Sequence, residues 1–303
     1  MASKQPQPAN RCLVWQNGPG SRDVNRLVAC MEQGIAGTPN WKCVRRNANY
    51  INSGHGETGF AASLQFGFRG KERAIAKAMA GNGAANIFVE LGYLRRANAL
   101  DVETAYYQAS IGHTCWLPPV PCASDRFEAL GMPLETRRTT RGRPRKSAGS
   151  VLLLGQVPGD GQHGLKQQPL ADWYAQTVAT IRANTDRPIV FRPHPKAAAL
   201  DLCPDADQQQ APTVPLAEAF RDAHCAATYN STAGTEAMLA GVPVVCAPCS
   251  MYAPWAETDF AAVEAPAVGD REDYFARLAY AQWTREEMRS GETFRFLLQF
   301  LGV

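Results

Sequence analysis

Asn230-Ser-Thr-Ala-Gly-Thr-Glu-Ala-Met-Leu-Ala-Gly-Val-Pro-Val-Val245 reads as a strand end, a hydroxyl-rich turn, a short helix and a new strand. The apolar run Cys225 to Tyr229 leads into it, the helix is expected over Thr235 to Leu239, and the next strand over Val242 to Cys246. A strand that returns through a helix to another strand is the repeating unit of a parallel sheet. The same alternation runs back toward the N-terminus. Val151 to Leu154 reads as a strand, Ala171 to Ala183 as a helix, Pro188 to Phe191 as a strand and Leu216 to Asp222 as a helix. A first series precedes it: a strand at Arg11 to Trp15, a Gly-Pro-Gly turn, a helix at Ser21 to Gln33, a strand at Trp41 to Arg46, a helix at Lys71 to Ala80, and a strand at Asn86 to Glu90. Parallel strands are expected here too.

Between the two series, Pro118, Pro119 and Pro121 break the pattern, and Glu135 to Ser150 is polar, basic and without an apolar period. The expected organisation is an α/β chain of two Rossmann-like domains: an N-terminal one over 1–136, a basic linker over 137–150, and a C-terminal one over 151–303. Its last stretch, Arg271 to Leu301, is helical by period with a break at Gly291, and is expected to cross back onto the first domain. A length of 303 residues suits two such domains.

The chemistry-bearing residues cluster at strand ends. Gly155-Gln-Val-Pro-Gly-Asp-Gly-Gln-His-Gly164 follows the strand Val151 to Leu154, where a doubly wound sheet opens its ligand crevice. Its glycines let backbone amides approach phosphate, and Gln156, Asp160 and Gly161 are candidate contacts; a flexible loop is the alternative. The spacing is not Gly-x-Gly-x-x-Gly, which disfavours a standard dinucleotide site. Arg192-Pro-His-Pro-Lys196 places Arg192, His194 and Lys196 at another strand end, stiffened by prolines, which suits an anion. Ser231 and Thr232 cap a helix whose free amides suit phosphate, and Glu236, expected in its first turn, has the chemistry to accept ribose hydroxyls.

Taken in order, Gly-Gln-Val-Pro-Gly-Asp, Arg-Pro-His-Pro-Lys and Asn-Ser-Thr-Ala-Gly-Thr-Glu-Ala with Gly-Val-Pro-Val-Val resemble the capsular-polysaccharide glycosyltransferases of the Kdo-transferase type. The His-Pro and Ser-Thr pairs also look like donor-phosphate motifs of bacterial sialyltransferases, which share the two-Rossmann (GT-B) fold. The resemblance covers roughly residues 150 to 255 well and the N-terminal half loosely. It implies a nucleotide-sugar donor, linked to UDP or CMP, a cleft between the domains, and an acidic general base in an acidic-acidic-Gly motif. Glu90-Leu91-Gly92 is the best match, with Leu91 where a second acid stands. Asp101, Glu103 and His113 are reserves for the base. Asp160 has the chemistry of a metal ligand, yet no Asp-x-Asp signature is present, so no metal site is assigned.

Arg141-Gly-Arg-Pro-Arg-Lys146 looks like the core of an AT-hook, with Arg141, Arg143, Arg145 and Lys146 as candidate DNA contacts; a solvated basic linker is the alternative. A sugar-transfer fold joined to a DNA-groove peptide suggests a phage-type enzyme that glycosylates a 5-hydroxymethylpyrimidine in DNA. A capsular or lipopolysaccharide sugar transferase is the second reading, and a nonenzymatic DNA-binding protein the third. The net charge of +3 does not by itself call for a polyanionic partner. Met1 to Asn10 lacks an apolar signal segment and no span approaches a membrane helix, so a cytoplasmic location, that of the host if phage-encoded, is expected. Nine cysteines suit a reducing compartment, and Cys246-Ala-Pro-Cys249 reads as buried thiols beside a turn rather than a redox or zinc pair.

Replacing Arg141, Arg143 and Arg145 with Ala is expected to weaken duplex binding and flatten its salt dependence, each lost phosphate contact removing about 0.9 from the slope of log affinity against log salt. Equal DNA affinity in the triple variant and the unaltered chain, across a salt titration, would retire the linker as a DNA contact.

Overall fold

Strand β1 (Asn10–Gln16) is followed by α1 (Arg22–Ala36), β2 (Trp41–Asn47), β3 (Ala62–Phe66), α2 (Gly70–Gly81), β4 (Ala85–Leu91) and β5 (Tyr107–Ile111). The computed structural model describes residues 10–16, 22–48, 57–68, 70–96, 102–136, 149–199 and 202–302. The basic run Arg141 to Lys146, and Asp101, lie outside the described residues. Pairing is parallel from β2 through β1 and β3 to β4. β5 then pairs antiparallel with β4, which corrects the expectation of parallel strands throughout this half. Helix α1 buries Leu27, Val28, Met31 and Ile35, the spacing of one helical face, against Cys12, Val14, Leu64, Ile87 and Val89. The opposite sheet face packs Leu13 and Trp15 against Ile75 and Met79 of α2.

The second series opens with α3 (Asp125–Ala129), β6 (Ser150–Leu154), α4 (Gln167–Asn184), β7 (Ile189–Arg192) and β8 (Gln208–Gln209). It continues through α5 (Leu216–Arg221), β9 (Ala223–Thr228), α6 (Thr232–Leu239), β10 (Val244–Cys246) and α7 (Arg271–Ala279). Its five strands lie in the order β10-β9-β6-β7-β8, every pair parallel. Val151, Leu153, Ile189 and Phe191 meet Leu170, Tyr174, Val178 and Ile181 of α4 in a buried core. The chain ends with β11 (Gln282–Trp283), α8 (Arg285–Arg289) and α9 (Glu292–Leu298). β11 adds antiparallel to β5, giving the first sheet the order β11-β5-β4-β3-β1-β2, while Met288, Phe294 and Leu297 join the core under α1. Gly291, at φ 80°, separates α8 from α9, as the sequence break suggests.

The chain therefore forms two Rossmann-like α/β units, one from residues 1–122 with 277–303 and one from 123–276. Residues 123–136 belong with the second unit: Glu135 N–H donates to Leu239 O at 2.9 Å, and Arg271 donates to Glu135 O at 3.0 Å. Among the described residues, no helix is long and apolar enough to cross a membrane.

A charged network closes the N-terminal edge of the second sheet. The buried Arg187 guanidinium donates to both oxygens of Glu264 at 3.1 Å, and Thr185 Oγ1 donates to the same carboxylate. Burial works against the Glu264 charge, but the Thr185 hydroxyl and Arg187 outweigh it and hold the carboxyl below its ordinary range. Burial, and next the Arg187 charge, hold the His224 imidazole below its ordinary value. Both groups therefore bind protons more weakly in the fold than in the unfolded chain, so stability falls as pH falls. Urea midpoints are expected to decline from about pH 6.5 downward as unfolded-state histidine takes up protons, and further as Glu264 titrates. His224→Gln should flatten the first limb; an unchanged pH profile in that variant would remove His224 from the account.

Candidate functional site

In the second sheet, β6 lies between β7 and β9, so the chain builds toward β8 on one side and toward β10 on the other. The crevice of such a sheet opens where the order reverses, at the C-terminal ends of the strands. All three sequence motifs of this half leave from that edge: Gly155–Gly164 after β6, Arg192–Lys196 at the end of β7, and Asn230–Thr232 after β9.

The loop after β6 is held by its own bonds. Gly159 N–H donates to Leu165 O, Asp160 N–H to Val157 O, and Gly164 N–H to Asp160 O. Asp160 Oδ1 accepts from Gln162 N–H at 2.9 Å. His163 Nδ1 accepts from Leu165 N–H at 3.0 Å, which puts the ring proton on Nε2, 3.1 Å from Val157 O. Burial holds this imidazole below its ordinary pKa, with the Asp160 charge working the other way. Gly161 lies in the same turn. Gln156 is buried at the loop's root, its backbone N–H donating to Tyr174 Oη at 2.9 Å. In the orientation that satisfies its partners, its side-chain oxygen accepts from the backbone N–H groups of Asn230 at 3.0 Å and Ser231 at 2.8 Å.

Arg192 is also buried, and its guanidinium donates to Gln210 Oε1 (3.1 Å), Ala211 O (3.3 Å) and Pro212 O (3.1 Å). Burial lowers its pKa, and the charge of Glu236 partly offsets that. Arg192 thus fastens the segment beyond β8 to the end of β7. Beyond it, His194 is half-buried and Lys196 exposed. His194 Nδ1 accepts from Lys196 N–H at 3.1 Å, so its ring proton sits on Nε2.

Ser231 is the N-cap of α6, its Oγ accepting from Ala233 N–H at 3.3 Å, and Thr232 is the first helical residue. Because the helix begins at Thr232 rather than Thr235, Glu236 falls one turn in, exposed; this corrects its expected first-turn position. The cap is clasped from behind by Tyr252, whose hydroxyl donates to Ser231 O at 2.8 Å. Sequence reasoning did not single out Asn230. It is buried at the junction of β9 and α6, and its Nδ2 has no partner among the described residues. It also did not single out the rings around the same edge, where Tyr229 stands edge-on to Trp173 at 5.2 Å and to His163 at 5.8 Å. Of the Cys-Ala-Pro-Cys pair, Cys246 is buried, its thiol pushed up to about 11 chiefly by burial, whereas Cys249 is exposed, contrary to expectation. No group of three or more metal-ligating side chains occurs among the described residues.

Glu90 is the penultimate residue of β4, half-buried, at the C-terminal edge of the first sheet. Of the reserves for a base, Glu103 is ion-paired with Arg285 at 2.7 Å and Arg289 at 2.9 Å, and Arg289 first, then Arg285, hold it below the carboxylate range. His113 is held below its ordinary pKa by burial.

No family model matches the chain, and no curated protein matches it in sequence. Among solved structures it is similar to the beta Kdo 2,7 transferase of Thermosulfurimonas dismutans KpsC, at 13% identity over 94% of this chain and 99% of that one, with a TM-score of 0.49. The beta Kdo 2,4 transferase of the same KpsC gives 15% identity over 88% and 97%, with a TM-score of 0.46. The glycosyltransferase SnogD from Streptomyces nogalater gives 11% over 95% and 73%, with a TM-score of 0.26. These likenesses are distant, and the chemistry of the site rests on the chain's own side chains.

The fit of α6 on Tyr252 is tight: a Cβ on Gly234 would lie 2.3 Å from the Tyr252 hydroxyl oxygen. Gly234→Ala is expected to cost about 1–3 kcal/mol in urea unfolding, and Tyr252→Phe combined with it should not recover that loss, because the ring Cζ still lies 2.4 Å from the new Cβ. Full stability in Gly234→Ala would show that Tyr252 does not clasp the cap.

Proposed function

We propose that the protein is a glycosyltransferase that uses a nucleotide sugar, linked to UDP or CMP, and that the donor phosphate binds at the C-terminal edge of the second sheet. The observation that carries this is the junction of β9 and α6. A buried amide nitrogen of Asn230 without a partner stands beside a capped helix N-terminus, on the same sheet edge that carries His194 and Lys196. Amide, hydroxyl and cationic donors collected in this way match an anion, and a buried unpaired donor is costly until something accepts from it. Ser231, Thr232 and the α6 amides take the phosphate oxygens, His194 and Lys196 take charge, and Glu236 accepts from ribose hydroxyls. Gln156 and Arg192 serve the donor by tying neighbouring loops together, and Asp160 and Gly161 by shaping the turn after β6.

In this reading Glu90 is the general base. It accepts the proton of the acceptor hydroxyl as that oxygen bonds to the anomeric carbon and the bond from that carbon to the phosphate oxygen breaks. The charge released on the phosphate is met by Ser231, Thr232, the α6 amides, His194 and Lys196. For the acceptor, Arg141, Arg143, Arg145 and Lys146 favour a 5-hydroxymethylpyrimidine in DNA, flipped from the stack to be reached. The ordered motifs of the second half favour a capsular or lipopolysaccharide sugar instead. Nucleoside mass spectrometry after incubation with hydroxymethylated DNA and a panel of nucleotide sugars separates the two, since only the first yields a heavier nucleoside.

His194→Ala and Lys196→Ala are each expected to weaken donor binding by about 1.5–3 kcal/mol in calorimetry, and unaltered affinity in both would remove this segment from the site. Glu90→Gln should keep the fold and donor affinity while lowering turnover by about 10²- to 10⁴-fold. Near-normal turnover in that variant would move the base to Asp101, Glu103 or His113.

A further inference from the structure

β3, β4 and β5 bury a polar face. Their register aligns Gln65, Phe88 and Ser110 in one row and sets Glu90 beside Gln108 in the next, toward the end of β4. β11 extends that second row by placing Gln282 opposite Gln108. Side chains of directly opposed residues lie on the same face of a sheet, so these groups share one surface. The alternate residues, Leu64, Val89, Tyr107 and Ala109, turn to the apolar core on the other face.

Ser110 and Gln108 are 0% exposed and Gln65 1%, yet Ser110 Oγ, Gln108 Oε1 and Gln65 Oε1 have no hydrogen-bond partner among the described residues. Turning the amides over does not help, because their nitrogens are engaged: Gln108 Nε2 donates to Trp116 O at 3.4 Å and Gln65 Nε2 to Glu72 O at 3.0 Å. Buried polar atoms in folded proteins are paired with protein or with ordered water. The species that pairs these must donate to an amide oxygen, accept from or donate to a serine hydroxyl, and fit where solvent does not reach. Water meets all three conditions.

The backbone next to this surface is fixed. Gln282 Oε1 accepts from Tyr93 N–H at 2.7 Å, and a Cβ on Gly92 would lie 2.2 Å from Tyr106 O and 2.8 Å from Gln282 Oε1. The glycine of Glu90-Leu91-Gly92 is therefore required by close packing, and the exit of β4 cannot shift to satisfy its neighbours.

We infer that ordered water occupies the floor beneath Glu90, donating to Gln108 Oε1 and to the Glu90 carboxylate and accepting from Ser110 Oγ–H, and that this bonding orients the carboxylate. A second water meets Gln65 Oε1 on the far side of Phe88. Ser110 and Gln108 are thus positioning residues that act through water. The orienting role rests on the reading of Glu90 as the base; the water site does not.

A crystal structure of the full chain at a resolution that shows ordered water tests the site directly. A density peak within hydrogen-bonding distance of Gln108 Oε1, Ser110 Oγ and a Glu90 oxygen is expected, and should be lost in Gln108→Leu. A dry floor, direct pairing of these atoms with protein groups, or a peak at metal-ligand distances would overturn the water site. Gln108→Leu and Ser110→Ala remove the water's protein partners, and Gln108→Leu also the bond to Trp116 O, so turnover should drop on the order of 10-fold at unchanged donor affinity, with a folded chain confirmed by thermal unfolding. Density at the site with turnover unaffected in both variants would overturn the orienting role alone. If Glu90→Gln itself turns over normally, the base assignment fails, and the water site is still decided by the density.

Discussion

One amide oxygen holds together the edge of the second sheet on which the proposed chemistry depends. Gln156 leaves β6 and accepts from two backbone N–H groups at the end of β9, those of Asn230 and Ser231. Ser231 N–H also reaches Thr228 Oγ1 at 3.2 Å, but Asn230 N–H would otherwise be buried without an acceptor, at a cost of about 1–3 kcal/mol, so the turn into α6 is bound to the loop after β6. Gln156's own N–H goes to Tyr174 on α4, which ties the same point to the helix layer. From that junction the rest follows: Ser231 is held in the cap position, Tyr252 closes on its carbonyl, and α6 starts where its amides face the strand ends. Arg192 does for the end of β7 what Gln156 does for β6. Both are polar residues whose bonding is directed to the scaffold.

The first sheet solves a different problem. Its α1 face is a conventional apolar core, but its other face carries Ser63, Gln65, Asn86, Gln108 and Ser110 in the interior. Some of this is paired within the protein: Trp15 Nε1 donates to Ser63 Oγ at 3.2 Å, and Asn86 Nδ2 to Ala76 O at 2.8 Å. A buried polar surface next to a carboxylate gives that carboxylate a hydrogen-bonding environment that an aliphatic core does not supply.

The same surface explains what the sequence conceals. Strands with continuous apolar runs, such as β4, β6 and β9, are legible because a strand buried on both faces needs them. Ala62-Ser-Leu-Gln-Phe66 and Tyr107-Gln-Ala-Ser-Ile111 carry the period-2 alternation of a strand, yet β3 and β5 pass unread; what that alternation misreports is that their polar residues are buried as well. β11 is too short for any period. The site motifs were legible because glycines, prolines and cations at strand ends have few structural uses. The roles within them were less so: nothing in Arg192-Pro-His-Pro-Lys196 distinguishes the buried guanidinium from the exposed ammonium, and Asn230 gains its meaning only from burial. The start of α6 was displaced because the cap, not helix propensity, sets where that helix begins.

The first unit is assembled from both ends of the chain, with 277–303 supplying β11, α8 and α9, whereas the second unit is continuous from 123 to 276. During synthesis the second unit has its whole sequence in hand while the first still lacks an edge strand and the helices that cover α1. Until residues 277–303 are made, β5 lacks its β11 partner, and contacts such as Tyr93 with Gln282 close loops of 189 residues. Completion of this half therefore waits on residues 277–303 and has a high contact order, which slows folding.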